Sequence, residues 1–296
     1  MIRPLDIPRV ILHGGFWNKF GEIIPAELTR RNDRLHLACT LYGGTIYICL
    51  SEIVRGKVEE FLPEGAIPVY HPAGMTFGQI RNWLRSLMSG IFWMSDGDPN
   101  EFRLIIGKGK SYCPNLIGFP AIIQAAMKYI EQDVIKMAEN EDRPIVGAGF
   151  NNSCWADTSF QRTYGQLPIN LFLCPNPHLG PDFGERNRLE DIYASIKAKE
   201  QGHLTYKSQF ATAMFEASKE GGRLTLRGDK EYRDAKNELP EKSLRYIKRT
   251  DSVSMHSHKR LVKDKELKNI PLEVMKAIDS LGLQEILIPR EKERVL

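Results

Sequence analysis

Cys154 is the side chain whose type and setting most resemble a nucleophile. It lies in GAGFNNSCWADTSFQ, directly after a β-branched run and among polar, turn-forming residues. A reactive thiol needs partial exposure and a way to stabilise thiolate, whereas a structural one sits inside an apolar element, as expected here for Cys39, Cys49 and Cys174. Cys154 is therefore the expected covalent nucleophile, with a thiol that does no chemistry as the alternative. Arg143 or Arg162 would lower its pKa from the free value of about 8.5. Glu22, Glu27 and Glu52 are the candidate proton-transfer carboxylates, and the sequence does not choose among them.

Other chemistries lack their signatures. LHGGFW at 12–17 has the form of an oxyanion loop, yet no G-x-S-x-G elbow exists to expose a serine. IVGAGFNN at 145–152 starts as a dinucleotide fingerprint and places Asn152 at the third glycine. No G-x-x-x-x-G-K-[ST] and no H-E-x-x-H occur, and His256 with His258 lacks partners at ligand spacing, so no metal is expected. Asp182 and Asp234-Ala-Lys236 are too far apart in pattern to form a nuclease motif. Glu216 to Leu224, EASKEGGRL, resembles the helix-glycine-strand element of two-domain nucleotide-sugar glycosyltransferases, an activity carried as an alternative.

These residues need a frame. Short β-branched runs predict strands at Arg9 to His13, Leu35 to Tyr42, Thr45 to Leu50, Ile67 to His71, Phe102 to Ile106, Pro144 to Ala148 and Ile169 to Cys174. Three- and four-residue apolar spacing predicts helices at Gly118 to Met137, Thr76 to Met88, Arg186 to Lys199 and Tyr206 to Lys219. The expected fold class is α/β, with α+β as the alternative: a mixed sheet flanked by helices in a catalytic domain over 1–230. Residues 231–296 form a basic, mainly helical segment that closes with a docked helix and strand in IPLEVMKAIDSLGLQEILI.

From Ile122 to Phe210 the order of features resembles the thymidylate synthase and deoxycytidylate hydroxymethylase superfamily. A long helix leads to NEDRPIVGAGF, then to Cys154 in the place of the family nucleophile. SFQRTYGQ, INLFLCPN and PDFGERN follow, and GHLTYKSQF closes the match. The resemblance implies a transferase in which the Cys154 thiolate adds to C6 of a pyrimidine, and C5 then attacks a one-carbon donor such as methylenetetrahydrofolate. It implies that Asn187 holds the pyrimidine edge and the charge on O4, that His203 and Tyr206 hold the sugar hydroxyl, and that Arg143 and Arg186 meet the phosphate, with Arg162 as a further substrate-binding residue. NNSCWADTSFQ with Gly202-His203-Leu204-Thr205-Tyr206 also resembles the cysteine and histidine boxes of ubiquitin-specific proteases, which leaves a cysteine hydrolase open.

Composition bounds the partners. The chain has 296 residues, 42% hydrophobic and 26% charged, with a formal charge of +4, which fits one large domain or two small ones. No stretch approaches the roughly 20 apolar residues of a membrane span, and MIRPLDIPRVILHGG lacks an apolar leader core, so a cytoplasmic protein with no membrane partner is expected. Five scattered cysteines without a CxxC pair argue against a disulfide framework. Nine Lys and Arg stand against three Asp and Glu between Lys242 and Lys268. That run is either a solvated face or a phosphate contact through Lys248, Arg249, Lys259 and Arg260. The expected partners are a pyrimidine nucleotide, DNA or RNA, and a second copy in a homodimer; a nucleic-acid-binding protein without catalysis is the remaining alternative.

Overall fold

The structure is a computed structural model that describes residues 6–15, 17, 20–105, 115–151, 167–168, 171–187, 189–215, 234, 237 and 270–283. Eight strands form one sheet in the order β3-β2-β1-β4-β7-β6-β8-β5. They are β1 (Arg9–Leu12), β2 (Ile46–Ser51), β3 (Ile67–His71), β4 (Phe92–Asp96), β5 (Pro99–Leu104), β6 (Ile145–Asn151), β7 (Leu171–Cys174) and β8 (Leu204–Phe215). β1 lies parallel to β2 and to β4, and β2 parallel to β3. β7 runs antiparallel to both β4 and β6, β6 is parallel to β8, and β5 is antiparallel to β8. Six strands therefore share one direction and end at a common carboxyl rim, while β7 and β5 run the other way. The sheet is mixed and flanked by helices, so the class is α/β.

Helices α1 (Pro25–Tyr42), α2 (Phe77–Leu87), α3 (Pro120–Ala138), α4 (Glu190–Glu200) and α5 (Leu272–Ser280) cover the sheet. Side-chain alternation decides which face each strand residue feeds. Ile11, Trp93, Leu171 and Leu173 join Leu35, Ala38 and Leu41 of α1, Met127, Ile130 and Val134 of α3, and Val274 and Ile278 of α5. Val10, Leu12, Phe92, Met94, Phe172 and Cys174 turn to the other face, where Leu84 of α2, Ala194 of α4 and Phe183 close a smaller cluster. Each fully buried large apolar side chain contributes roughly 1.5–3 kcal/mol, so two apolar layers fix the strands from both sides. The Trp93 indole N–H, buried in the larger layer, donates to Glu131 of α3 at 2.7 Å.

Three elements differ from the sequence expectation. Leu35 to Tyr42 is the last part of helix α1, not a strand. Leu35, Leu37, Cys39 and Leu41 alternate and imitate a strand, yet Leu35, Ala38, Leu41 and Tyr42 are the buried set, which is the helical period. Tyr206 to Lys219 does not begin a helix; Leu204–Phe215 is strand β8. Its buried Thr205, Lys207, Ser208 and Thr212 break the apolar alternation that marks a strand. Strand β4 was not anticipated at all. The expected helices at 76–88, 118–137 and 186–199 match α2, α3 and α4 to within a few residues.

Candidate active site

The chain runs from β1 outward to β2 and β3, then returns through α2 to place β4 on the other side of β1. In an open sheet of this kind, ligands bind outside the carboxyl ends of the strands where the order reverses. That point lies between the ends of β1 and β4, which carry His13-Gly14-Gly15 and Asp96-Gly97-Asp98. The two turns touch. A Cβ on Gly97 would lie 3.2 Å from His13 Nδ1 and 3.4 Å from Leu12 O, so a side chain there would press on the β1 turn, and glycine lets the two turns lie close. The His13 ring meets Trp17 edge-on at 5.6 Å, and burial beside Arg31 lowers its pKa to about 3. It is neutral at any physiological pH.

Helix α2 supplies a buried cation to this rim. It begins with a reciprocal cap, in which the Gln79 N–H donates to Thr76 Oγ1 (3.2 Å) and the Thr76 N–H donates to Gln79 Oε1 (2.9 Å). A capping box of this kind satisfies two orphan donors. One turn in, Arg81 is 4% exposed; its Nη2 donates to Asp96 Oδ1 at 2.9 Å, and its Nε stands 3.6 Å from Glu190 Oε1. Asp191 also acts on Arg81 electrostatically. Residues from β4 and from the start of α4 are thus gathered on one guanidinium. Burial, then the neighbouring Asp191, pushes the Glu190 carboxyl up to about 7, with Arg81 opposing. A carboxylate poised near neutrality is what a general base requires.

The position of Glu190 follows from the path before it. β7 ends at the amino side of the sheet, and residues 175–189 travel back along α2. Arg85 Nη2 donates to Pro177 O (2.8 Å), Asn82 Nδ2 to Asp182 Oδ1 (2.9 Å), Phe183 N to Asn82 Oδ1 (3.1 Å) and Gly78 N to Arg186 O (2.8 Å). The segment ends at Leu189, at φ 58 and ψ 23. A left-handed conformation costs a leucine roughly 1–2 kcal/mol, and it turns the chain so that α4 opens on Glu190 beside Arg81. Strain of this kind persists where surroundings over-determine it, often at functional sites.

The expected site residues divide between the two sides of the sheet. Arg186 and Asn187 stand at the carboxyl side: Asn187 Oδ1 accepts from the Phe77 N–H of α2 at 3.3 Å, and the Arg186 guanidinium lies 4.8 Å from the Tyr193 ring. Arg143 and His203 stand at the amino side, next to the paired starts of β6 and β8, where Ile145 is opposite Leu204. The length of β6 separates the two groups by about 20 Å at 3.3 Å per residue. Tyr206 packs half-buried on the larger core, and the His203 N–H closes α4 by donating to Ala198 O (2.8 Å). Cys154, Arg162, Lys248, Arg249, Lys259 and Arg260 lie outside the described residues, as does 216–224.

Cys39, Cys49 and Cys174 are held as thiols, each pushed up to about 12 by burial. Glu27 accepts from Arg30 and Arg31, each at 2.8 Å, and Glu52 from Arg55 at 2.7 Å. Those hydrogen bonds lower both carboxyls, which makes them weaker proton acceptors than Glu190. Asp96, Asp98, Glu190 and Asp191 were not anticipated; the signal present in the sequence was an apolar run, IFWM, ending in Ser-Asp-Gly-Asp. Among the described residues no three His, Cys, Asp or Glu side chains stand together as a metal-holding group, and no helix is long and apolar enough to cross a membrane. No protein-family model matches this sequence, and no curated protein matches it.

Proposed function

We propose that the chain is a nucleotide-sugar glycosyltransferase working at the carboxyl rim between β1 and β4. The observation that carries this reading is the arrangement in which Arg81 joins Asp96, on the strand-end turn of β4, to Glu190 at the start of α4. Asp96 and Asp98 flank Gly97 on the turn against His13. Two carboxylates of this kind bind Mg²⁺ or Mn²⁺ together with substrate phosphates and water, without an all-protein cage. A cation would supply there the positive charge that a helix N-terminus supplies elsewhere. In nucleotide-binding folds of this order the pyrophosphate usually sits on the N-terminus of the helix that follows β1 directly. Here α1 begins only at Pro25, after residues 13–24, and no phosphate-binding glycine fingerprint intervenes.

In the proposed reaction, the acceptor hydroxyl gives its proton to the Glu190–Asp191 pair as its oxygen attacks the anomeric carbon of the donor. The bond from that carbon to the diphosphate breaks, and the electron pair leaves with the nucleoside diphosphate; a divalent cation held by Asp96 and Asp98 would neutralise its charge. His13, held neutral, adds no competing positive charge to the rim. The basic run with Lys248, Arg249, Lys259 and Arg260 would serve an acceptor that is itself a nucleic acid, recognisable by binding that weakens steeply with salt. The Cys154 reading draws on residues placed on both sides of the sheet, and for that reason the carboxylate site is preferred to it.

The test is incubation with Mn²⁺ and a panel of uridine, guanosine, cytidine, adenosine and thymidine diphosphate sugars, reading released nucleoside diphosphate. One donor class should be cleaved, and Asp98→Asn should slow release by about 100-fold or more, the order seen when a preorganised electrostatic group is removed. Absence of release from every donor, or an Asp98→Asn protein as active as the wild type, would remove the proposal.

A further inference from the structure

Helix α1 does not open directly on the β1 turn, but it brings a side chain there. Arg31, nearly two turns into the helix, places Nη1 3.6 Å from the point where a Cβ on Gly14 would lie. Gly14 and its two chain neighbours aside, no other atom of the described residues lies within 4 Å of that point. The guanidinium therefore borders an open space beside the turn that ends β1. It also acts electrostatically on His13, the first residue of that turn. Three residues further along α1, Arg34 Nη1 donates to Pro99 O at 3.2 Å, where the chain leaves the β4 turn. Helix α1 is thus tied to both strand-end turns, and Arg31 is the side chain it presents at the first.

The geometry of that side chain suits an anion. Its Nε donates to Glu27 Oε2 at 2.8 Å, a contact that orients the guanidinium plane and leaves the Nη donors of its fork uncommitted. The side chain is 36% exposed, so a ligand can reach it from solvent. Glu27 also accepts from Arg30 at 2.8 Å, and one carboxylate cannot neutralise two guanidinium groups. A fork held in this way can meet two phosphate oxygens at once.

We propose that Arg31 binds the diphosphate of the nucleotide beside the β1 turn, through its own donors and without a metal ion between. The proposal rests on the glycosyltransferase reading above and adds a group that would meet the phosphates. A phosphate at such a turn ordinarily finds its positive complement at a helix N-terminus. Arg31 reaches back to the turn that the start of α1, at Pro25, follows only after residues 13–24.

The test is calorimetric titration of the full chain, with a chelator present, using inorganic pyrophosphate and uridine, guanosine, cytidine, adenosine and thymidine diphosphates. At least one nucleoside diphosphate should bind the wild type, and Arg31→Gln should weaken that binding about tenfold or more, the loss expected for hydrogen bonds to a charged group. Arg31→Lys, which keeps the charge and loses the fork, should fall between the two. Arg30→Gln removes the other arginine on the same Glu27 oxygen and should stay within about threefold of the wild type. The Arg31–Glu27 pair is partly exposed and adds little to stability, so Arg31→Gln should fold. A wild type that binds none of these probes, or an Arg31→Gln protein that binds the diphosphate as tightly as the wild type, overturns the proposal. The two readings fail separately. Arg31-dependent binding with no sugar nucleotide cleaved would keep the phosphate site and remove the transferase; cleavage with an unchanged donor KM in Arg31→Gln would keep the transferase and remove the phosphate site.

Discussion

Glu190 and Glu27 carry the same group, and their surroundings pull it in opposite directions. Hydrogen bonds from Arg30 and Arg31 hold Glu27 below its usual range, whereas burial beside Asp191 raises Glu190 to about 7. For Glu190 the folded protein binds its proton more tightly than the unfolded chain, whose glutamate titrates near 4.3. Its contribution to stability is therefore neutral below that value, becomes increasingly unfavourable as pH rises to about 7, and stays unfavourable above. Turnover should accordingly rise through pH 7 as Glu190 ionises. Glu190→Gln should abolish that limb and should gain stability relative to the wild type on going from pH 5 to pH 8 in urea titrations. A rising limb that persists in Glu190→Gln would show that another group accepts the proton. None of this was legible locally, since acids at 96, 98, 190 and 191 look like ordinary solvated charges in the sequence. Cys154 drew attention because the chemistry of a thiol can be read from its neighbours alone, while convergence across some ninety residues depends on the direction of β7.

Among the elements, the parallel half of the sheet was the most readable, because β1, β2 and β3 are bounded by turn residues and rich in isoleucine, valine and tyrosine. β4 was lost because Phe92, Trp93 and Met94 are buried on both faces, and a short continuous apolar run has no period to read. The contact between α2 and the returning segment 175–189 has a sharper signature in the coordinates than in the sequence. A Cβ on Gly78 would lie 2.4 Å from Gly184 O and 2.6 Å from Phe183 O. Both obstacles are backbone, so Gly78→Ala has no flexible side chain to displace and must push the segment away from the helix. Overpacking of this sort costs about 1–3 kcal/mol, and denaturant midpoints should show it. Because the same segment delivers Glu190 to Arg81, the variant should also lose activity at temperatures where it remains folded.

In the molecule as a whole, α5 closes the layer that α1 and α3 begin. Val274 and Ile278 are 0% and 1% exposed, and they share a core with α3 and with the sheet. Ile278→Ala should therefore cost about 2–5 kcal/mol, read as a shift in the urea midpoint without a change in the order of events at the rim. Removing residues 270–283 should lower stability further, since it uncovers the part of α3 that α5 packs against. If Ile278→Ala left the midpoint unmoved, α5 would not contribute to the common core. The single reversed strand at the centre of the sheet has one more effect. Were β7 parallel to its neighbours, it would finish at the carboxyl side and a short turn would suffice to start α4. Because it finishes at the opposite side, the chain after β7 must return along the length of α2, from Arg85 to Gly78, and the number of residues in that return acts as a ruler. Adding or deleting a residue there should shift the start of α4 and break the approach of Glu190 to Arg81, which the loss of that ion pair in a variant structure would show.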